Sequence, residues 1–131
     1  MEQAVFPYLL YEDAGRALEW LTRAFGFREV TRMENERGEV GHAELDVGGG
    51  TIYLGAPGGD FRNPRRTGVL TALVYVLVDD VDGHCERARA AGATIVEEPG
   101  DQDYGHRRYA AEDPEGHHWY FAQPVSGGPT P

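Results

Sequence analysis

Five histidines, seven tyrosines, one cysteine and a scatter of carboxylates are the side chains of this chain suited to binding or proton transfer. His42 and Glu44 stand two apart in the alternating run Val40 to Val47, so an extended backbone puts them on one face. His118 follows His117 and the turn sequence Asp113-Pro114-Glu115-Gly116; His117 reads as part of that turn. His84 and Cys85 are adjacent on a helical stretch and point about 100° apart, so they do not converge. A surface histidine beside a core cysteine is the expectation there. His106 sits in a loop ahead of Arg107 and is expected to be solvated. No nucleophile constellation emerges. Helix periodicity turns Cys85 inward, and the only serine, Ser126, lies in a Gly/Pro-rich tail. Gly48-Gly49-Gly50 precedes a strand rather than a helix, which rules out a phosphate loop of the helix-capping kind.

The elements that must carry these residues are legible. Val5 to Tyr11 is an apolar run that reads as a strand. Asp13 is a candidate N-cap for a helix whose inward face is Ala17, Leu18, Leu21, Ala24 and Phe25, closed by Gly26. Strands are expected at Phe27 to Met33, Val40 to Val47 and Thr51 to Gly55. A Pro/Gly-rich linker covers 58–69. A second series follows: strand Leu73 to Val78, a helix capped by Asp79 or Asp80 and ended by Gly92, then strands Ala93 to Glu97, Arg107 to Glu112 and His117 to Ala122. The intervening segment 99–104 reads as a loop. Residues 126–131 form a tail expected to fray.

Composition bounds the function. The chain has 131 residues and a formal charge of −10, its twelve basic residues all arginine. Such a balance argues against nucleic acid and anionic membranes, while allowing long-range steering of a cationic compound. One cysteine permits no intrachain disulfide and no cysteine-based zinc site. With no long apolar stretch and no signal-peptide pattern at the start, a cytoplasmic protein is expected.

The two series are copies. Adding 67 to a number in the first half carries Tyr8 through Asp13 onto Tyr75 through Asp80, Tyr53 onto Tyr120 and Pro57 onto Pro124. Only the helix-ending glycine slips by one, Gly26 against Gly92. The expected fold class is α+β: a single domain, 1–125, of two βαβββ modules at about 4–57 and 70–124.

This duplication resembles the vicinal oxygen chelate superfamily of glyoxalases, bleomycin-resistance proteins and extradiol dioxygenases. The resemblance also rests on the opening PYLLYEDAGRALEWLTRAFGF and the closing YGHRRYAAEDPEGHHWYFAQP. It implies curled mixed sheets forming a cup with helices outside, and frequent pairing into homodimers. Metal-dependent relatives hold a divalent ion with His, Glu or Gln from the first and last strand of each module. Those positions fall on Phe6, Tyr53, Leu73 and Tyr120 here, none a usual ligand. The resemblance therefore implies the fold without the metal, and no cofactor is expected.

Strand alternation then gives the cup wall. Phe6, Tyr8, His42, Glu44 and Tyr53 line it in the first module. Leu73, Tyr75, Arg107, Tyr109, His118 and Tyr120 line it in the second. Tyrosine-rich walls bind flat organic molecules by stacking and hydrogen bonding. The expected function is binding of a small organic molecule, sequestration of an antibiotic or toxic metabolite being one use. The alternative is a lyase, isomerase or dioxygenase with a non-standard metal site, or with acid–base chemistry at His42, Glu44 or His118.

Overall fold

The computed structural model describes residues 2–125, so the 126–131 tail lies outside the described residues. The chain runs β1 (Tyr8–Leu10), α1 (Ala14–Phe25), β2 (Arg28–Glu34), β3 (Val40–Asp46) and β4 (Thr51–Gly55). It continues through α2 (Pro64–Thr67), β5 (Val74–Leu77), α3 (Val81–Ala90), β6 (Thr94–Asp101), β7 (His106–Glu112) and β8 (His118–Pro124). Each module makes a four-stranded mixed sheet, ordered β1-β4-β3-β2 and β5-β8-β7-β6. In each, the opening strand pairs parallel to the closing one, Tyr8 beside Tyr53 and Tyr75 beside Tyr120. The two-module α+β fold is as the repeat implied.

Local chemistry sets the element ends. The Asp13 and Asp80 carboxylates accept from the backbone N–H three residues on, capping α1 and α3. Gly26 closes α1 in a left-handed conformation. The linker is not wholly irregular: Asn63 caps the short α2, Pro64 opens it and Gly68 ends it. β6 extends through Asp101 into the segment read as a loop. It is an edge strand with register shifts between Ile95 and Gly100, which is where a sheet tolerates Pro99.

One apolar core serves both modules. α1 covers the first sheet, α3 the second, and the two helices pack on each other between the sheets. Phe25 and Phe27 of the first module meet Trp119 and Phe121 of the second at centroid distances of 4.7–6.2 Å. The opposite face of each sheet turns away from this core, so within one chain the two open faces do not close on each other. Tyr8, Leu10, Leu73, Tyr75 and Leu77 consequently remain 40–51% exposed.

The Asp113–Gly116 turn locks the modules together. Asp113 is 1% exposed and accepts from the Tyr11 hydroxyl (2.7 Å), the Trp119 indole N–H (3.1 Å) and the backbone N–H groups of Glu115 and His117. Burial lifts its carboxyl above the usual range, and these hydrogen bonds pull the other way. Glu115 accepts from the backbone N–H groups of Glu12 and Asp13 and from Asn63. His117 donates from Nε2 to the Leu10 carbonyl (2.7 Å), so its turn position also ties it to β1.

Candidate functional site

The first module assembles its cup residues as alternation requires. Ala43, Leu45, Ile52 and Leu54 are buried under α1, and the residues between them face outward. Phe6 stacks on Tyr53 at 4.6 Å and 10°, and the Tyr8 ring meets Tyr53 edge-on at 5.5 Å. The Tyr8 hydroxyl hydrogen-bonds His42 Nδ1 (2.7 Å), and His42 Nε2 hydrogen-bonds Glu44 Oε2 (3.0 Å). A Cβ at Gly55 would lie 2.7 Å from the Tyr8 ring, so this glycine makes the space in which the tyrosine lies. Beside Tyr8 and Leu10 the linker walls a groove of about 490 Å³.

The second module differs from expectation by one residue on β7. Ala110 stands opposite Tyr120 and Arg108 opposite Ala122, which are the places Glu44 and His42 hold against Tyr53 and Gly55. β7 therefore repeats β3 at an offset of 66, while β5 and β8 repeat β1 and β4 at 67. The missing residue is lost at the helix end, where Gly92 slipped against Gly26. It is regained in the following turn, which holds five residues (113–117) against four (47–50). A one-residue slip moves every side chain of a strand to the other face.

Arg107 and Tyr109 accordingly do not line the cup. Tyr109 is fully buried under α3, with its hydroxyl on His84 Nδ1 (2.5 Å). Arg107 reaches Asp82 on α3 (3.0 Å) and Asp101 (3.1 Å). In their place stand Arg108 and His106. Arg108 pairs through two nitrogens with Glu97 (2.7 and 3.1 Å) and lies 5.1 Å over the Tyr120 ring. His106 is not solvated: it is 2% exposed, accepts or donates at Nδ1 with the Tyr75 hydroxyl (2.7 Å), and its Nε2 has no partner among the described residues. Tyr104 joins the cluster through the Tyr75 hydroxyl (2.8 Å) and Arg108 (3.0 Å). Burial raises the Tyr75 phenol well above its usual range. The sequence signal for Arg108 was the glycine slip, which marks the deletion before β7.

His118 lies toward the start of β8, 3.7 Å from Glu112, whose other oxygen is held by Arg65 (3.0 Å). His84 is not a surface residue. It inserts between the helices, 4.1 Å from the Phe121 ring, with Nε2 donating to the Phe25 carbonyl (2.9 Å). Cys85 is buried, and burial raises its thiol above the ordinary range, so it is no ready thiolate.

This architecture places the chain among known proteins. The model of the Glyoxalase/Bleomycin resistance protein/Dioxygenase superfamily matches residues 5–121, and the chain belongs to that superfamily. It is 35% identical over 130 residues to an uncharacterised protein of Mycobacterium bovis, covering 95% of this chain and 86% of that one. TioX from Micromonospora sp. ML1 is similar in structure, with a TM-score of 0.76 and 38% identity, covering 95% and 98% of the two chains. A glyoxalase I mutant from Zea mays shares the fold alone, at a TM-score of 0.74 and 20% identity, over 95% of this chain and 45% of that one.

The divalent metal that relatives of this fold carry does not fit the four positions here. Phe6 and Leu73 offer no lone pair, Phe6 is stacked flat on Tyr53, and neutral phenols at Tyr53 and Tyr120 are poor donors. Among the described residues no three His, Cys, Asp or Glu side chains converge as a metal site requires.

Proposed function

We propose that this chain binds a planar organic molecule, without a metal, against the open aromatic faces of its sheets, and works as a homodimer in the cytoplasm. The observation that carries this reading is the wall of Phe6, Tyr8 and Tyr53, in which the Tyr53 ring touches both of the others on a face the core leaves open. Rings needed only for packing would be turned inward, as Phe25 and Trp119 are. Leu73, Tyr75 and Tyr120 present the matching face of the second module, with Arg108 over Tyr120 and His118 at the start of the strand. Two faces opening outward from one chain are covered if a second copy supplies the facing wall. The net charge of −10 favours approach of a cationic compound. Sequestration of an antibiotic or toxic metabolite is the use we favour.

Native mass spectrometry of the freshly isolated protein tests this. A dimer carrying a small organic mass and no stoichiometric divalent metal is expected. Tyr53→Ala should weaken binding of that compound by threefold to tenfold, the equivalent of about 0.5–1.5 kcal/mol for a lost ring contact. Stoichiometric metal, or affinity untouched by Tyr53→Ala, would overturn the reading.

A further inference from the structure

The chain Tyr8–His42–Glu44 is more than a binding surface requires. Stacking a flat molecule needs the rings of Phe6 and Tyr53, not a carboxylate linked through an imidazole to an exposed phenol. The direction of the two hydrogen bonds follows from chemistry. An ionised carboxylate only accepts, so His42 Nε2 carries the proton it shares with Glu44 at 3.0 Å. In the neutral ring, Nδ1 then has only a lone pair, so Tyr8 donates its hydroxyl proton to it at 2.7 Å. The phenol oxygen keeps its lone pairs, on a side chain that is 51% exposed. Gly55 holds open the space for that ring.

The duplication supplies an internal comparison. Arg108 and Ala110 take the places of His42 and Glu44 in the second module, so no carboxylate backs Tyr75 in this way. Tyr75 is joined instead to Tyr104 and to His106. The relay is thus a property of the first module and not of the repeated fold.

We propose that Tyr8, His42 and Glu44 form a proton relay that makes the first-module face a general-base site for a planar carbon or nitrogen acid lying on that face. The ligand's acidic proton passes to the Tyr8 oxygen while the Tyr8 proton moves to His42 Nδ1 and the Nε2 proton moves to Glu44. The ligand keeps the electron pair and gains one negative charge, and Glu44 becomes neutral, so protons and charge balance. Tyr8 is the catalytic residue; His42 and Glu44 act through it. This proposal rests on the stacking face described above.

5-Nitrobenzisoxazole is a suitable probe because it is flat and reports base action with no other reagent. Removal of its ring C–H proton sends that electron pair into a nitrile, breaks the N–O bond and releases a coloured phenolate. The wild-type protein should turn it over saturably and faster than buffer at the same pH. Tyr8→Phe and Glu44→Gln should each lower kcat by about tenfold or more, within the usual reach of general-base catalysis, while leaving KM within about twofold. His42→Gly should lose kcat and recover it when imidazole is added, a rescue the wild type does not show. Glu36→Gln, in the exposed β2–β3 turn, should match wild type. A probe that binds, by fluorescence titration, but reacts no faster than in buffer would overturn the relay and leave the binding face standing. A probe that does not bind at all would overturn the stacking face and the relay with it.

Discussion

His84 shows how much a single side chain can decide in this protein. Its Nε2 faces a carbonyl, which can only accept, so the neutral ring carries its proton there and takes the Tyr109 hydroxyl at Nδ1. Burial lowers its pKa from the ordinary 6.5, with Arg87 adding to the effect and the Phe25 carbonyl opposing it. A group whose folded pKa is depressed contributes stability that is complete above its unfolded pKa and is lost as pH falls through the folded one. The thermal midpoint should therefore fall as pH drops below about 6.5, where the unfolded histidine takes up a proton. Melting curves of wild type and His84→Gln between pH 7.5 and pH 5 check this. The variant should lose this part of the pH dependence, and parallel curves would remove the assignment. The adjacency of His84 to Cys85 correctly denied the pair a common target, but adjacency says nothing of α1 lying alongside.

At the level of elements, turns matter more than strands. The Asp113–Gly116 turn carries proline second and glycine fourth, which is turn chemistry any sequence reading finds. Its role in joining the modules depends on the linker lying against it. Gly116 has φ of +93°, and a Cβ there would fall 2.5 Å from the Arg65 backbone nitrogen. Gly49 has φ of +98° but opens onto empty space. Gly116→Ala should thus cost more than Gly49→Ala, which bears only the backbone strain of about 1–3 kcal/mol. Urea denaturation of both variants measures the difference; equal losses would mean that α2 is not pressed against the turn. The same turn absorbs the residue missing before β7. Strand periodicity was legible throughout, but its phase on β7 was not, because a deletion at the end of α3 that is compensated in the turn after β7 leaves β5 and β8 at the original offset.

For the whole molecule, the exposed faces raise a question of assembly. Tyr75 and Leu77 on β5, with Leu73 just before it, are exposed on one side while Val76 is buried on the other. A single chain leaves the first three in water, which the proposed dimer would relieve. Leu77→Asp should then shift the protein to monomer without unfolding it, since the side chain is 49% exposed in one chain. Sedimentation velocity alongside circular dichroism separates the two effects. An unchanged sedimentation coefficient would show that this face takes no part in pairing.

The amino-acid sequence by itself determined the duplication, the order of the strands and the two longer helices, the Asp13 cap and the outward face of the first module. Each depends on residues near one another in the chain, or on a period of two or 3.6 that survives without knowledge of neighbours. The poor fit of Phe6, Tyr53, Leu73 and Tyr120 to a metal was also legible, because it is a matter of side-chain chemistry alone. Only the tertiary structure decided which of Arg107 and Arg108 faces outward, that His106 is buried beneath Tyr75 and Tyr104, and that His84 joins the helices. Those outcomes turn on strand phase and on contacts across 25 to 64 residues, as in Tyr109 with His84 and Arg87 with the Arg23 carbonyl. It also decided that the helices share one core, with the other face of each sheet turned outward. Apolar residues such as Phe25 and Trp119 are equally at home facing their own sheet or the other module, and only packing chooses between them.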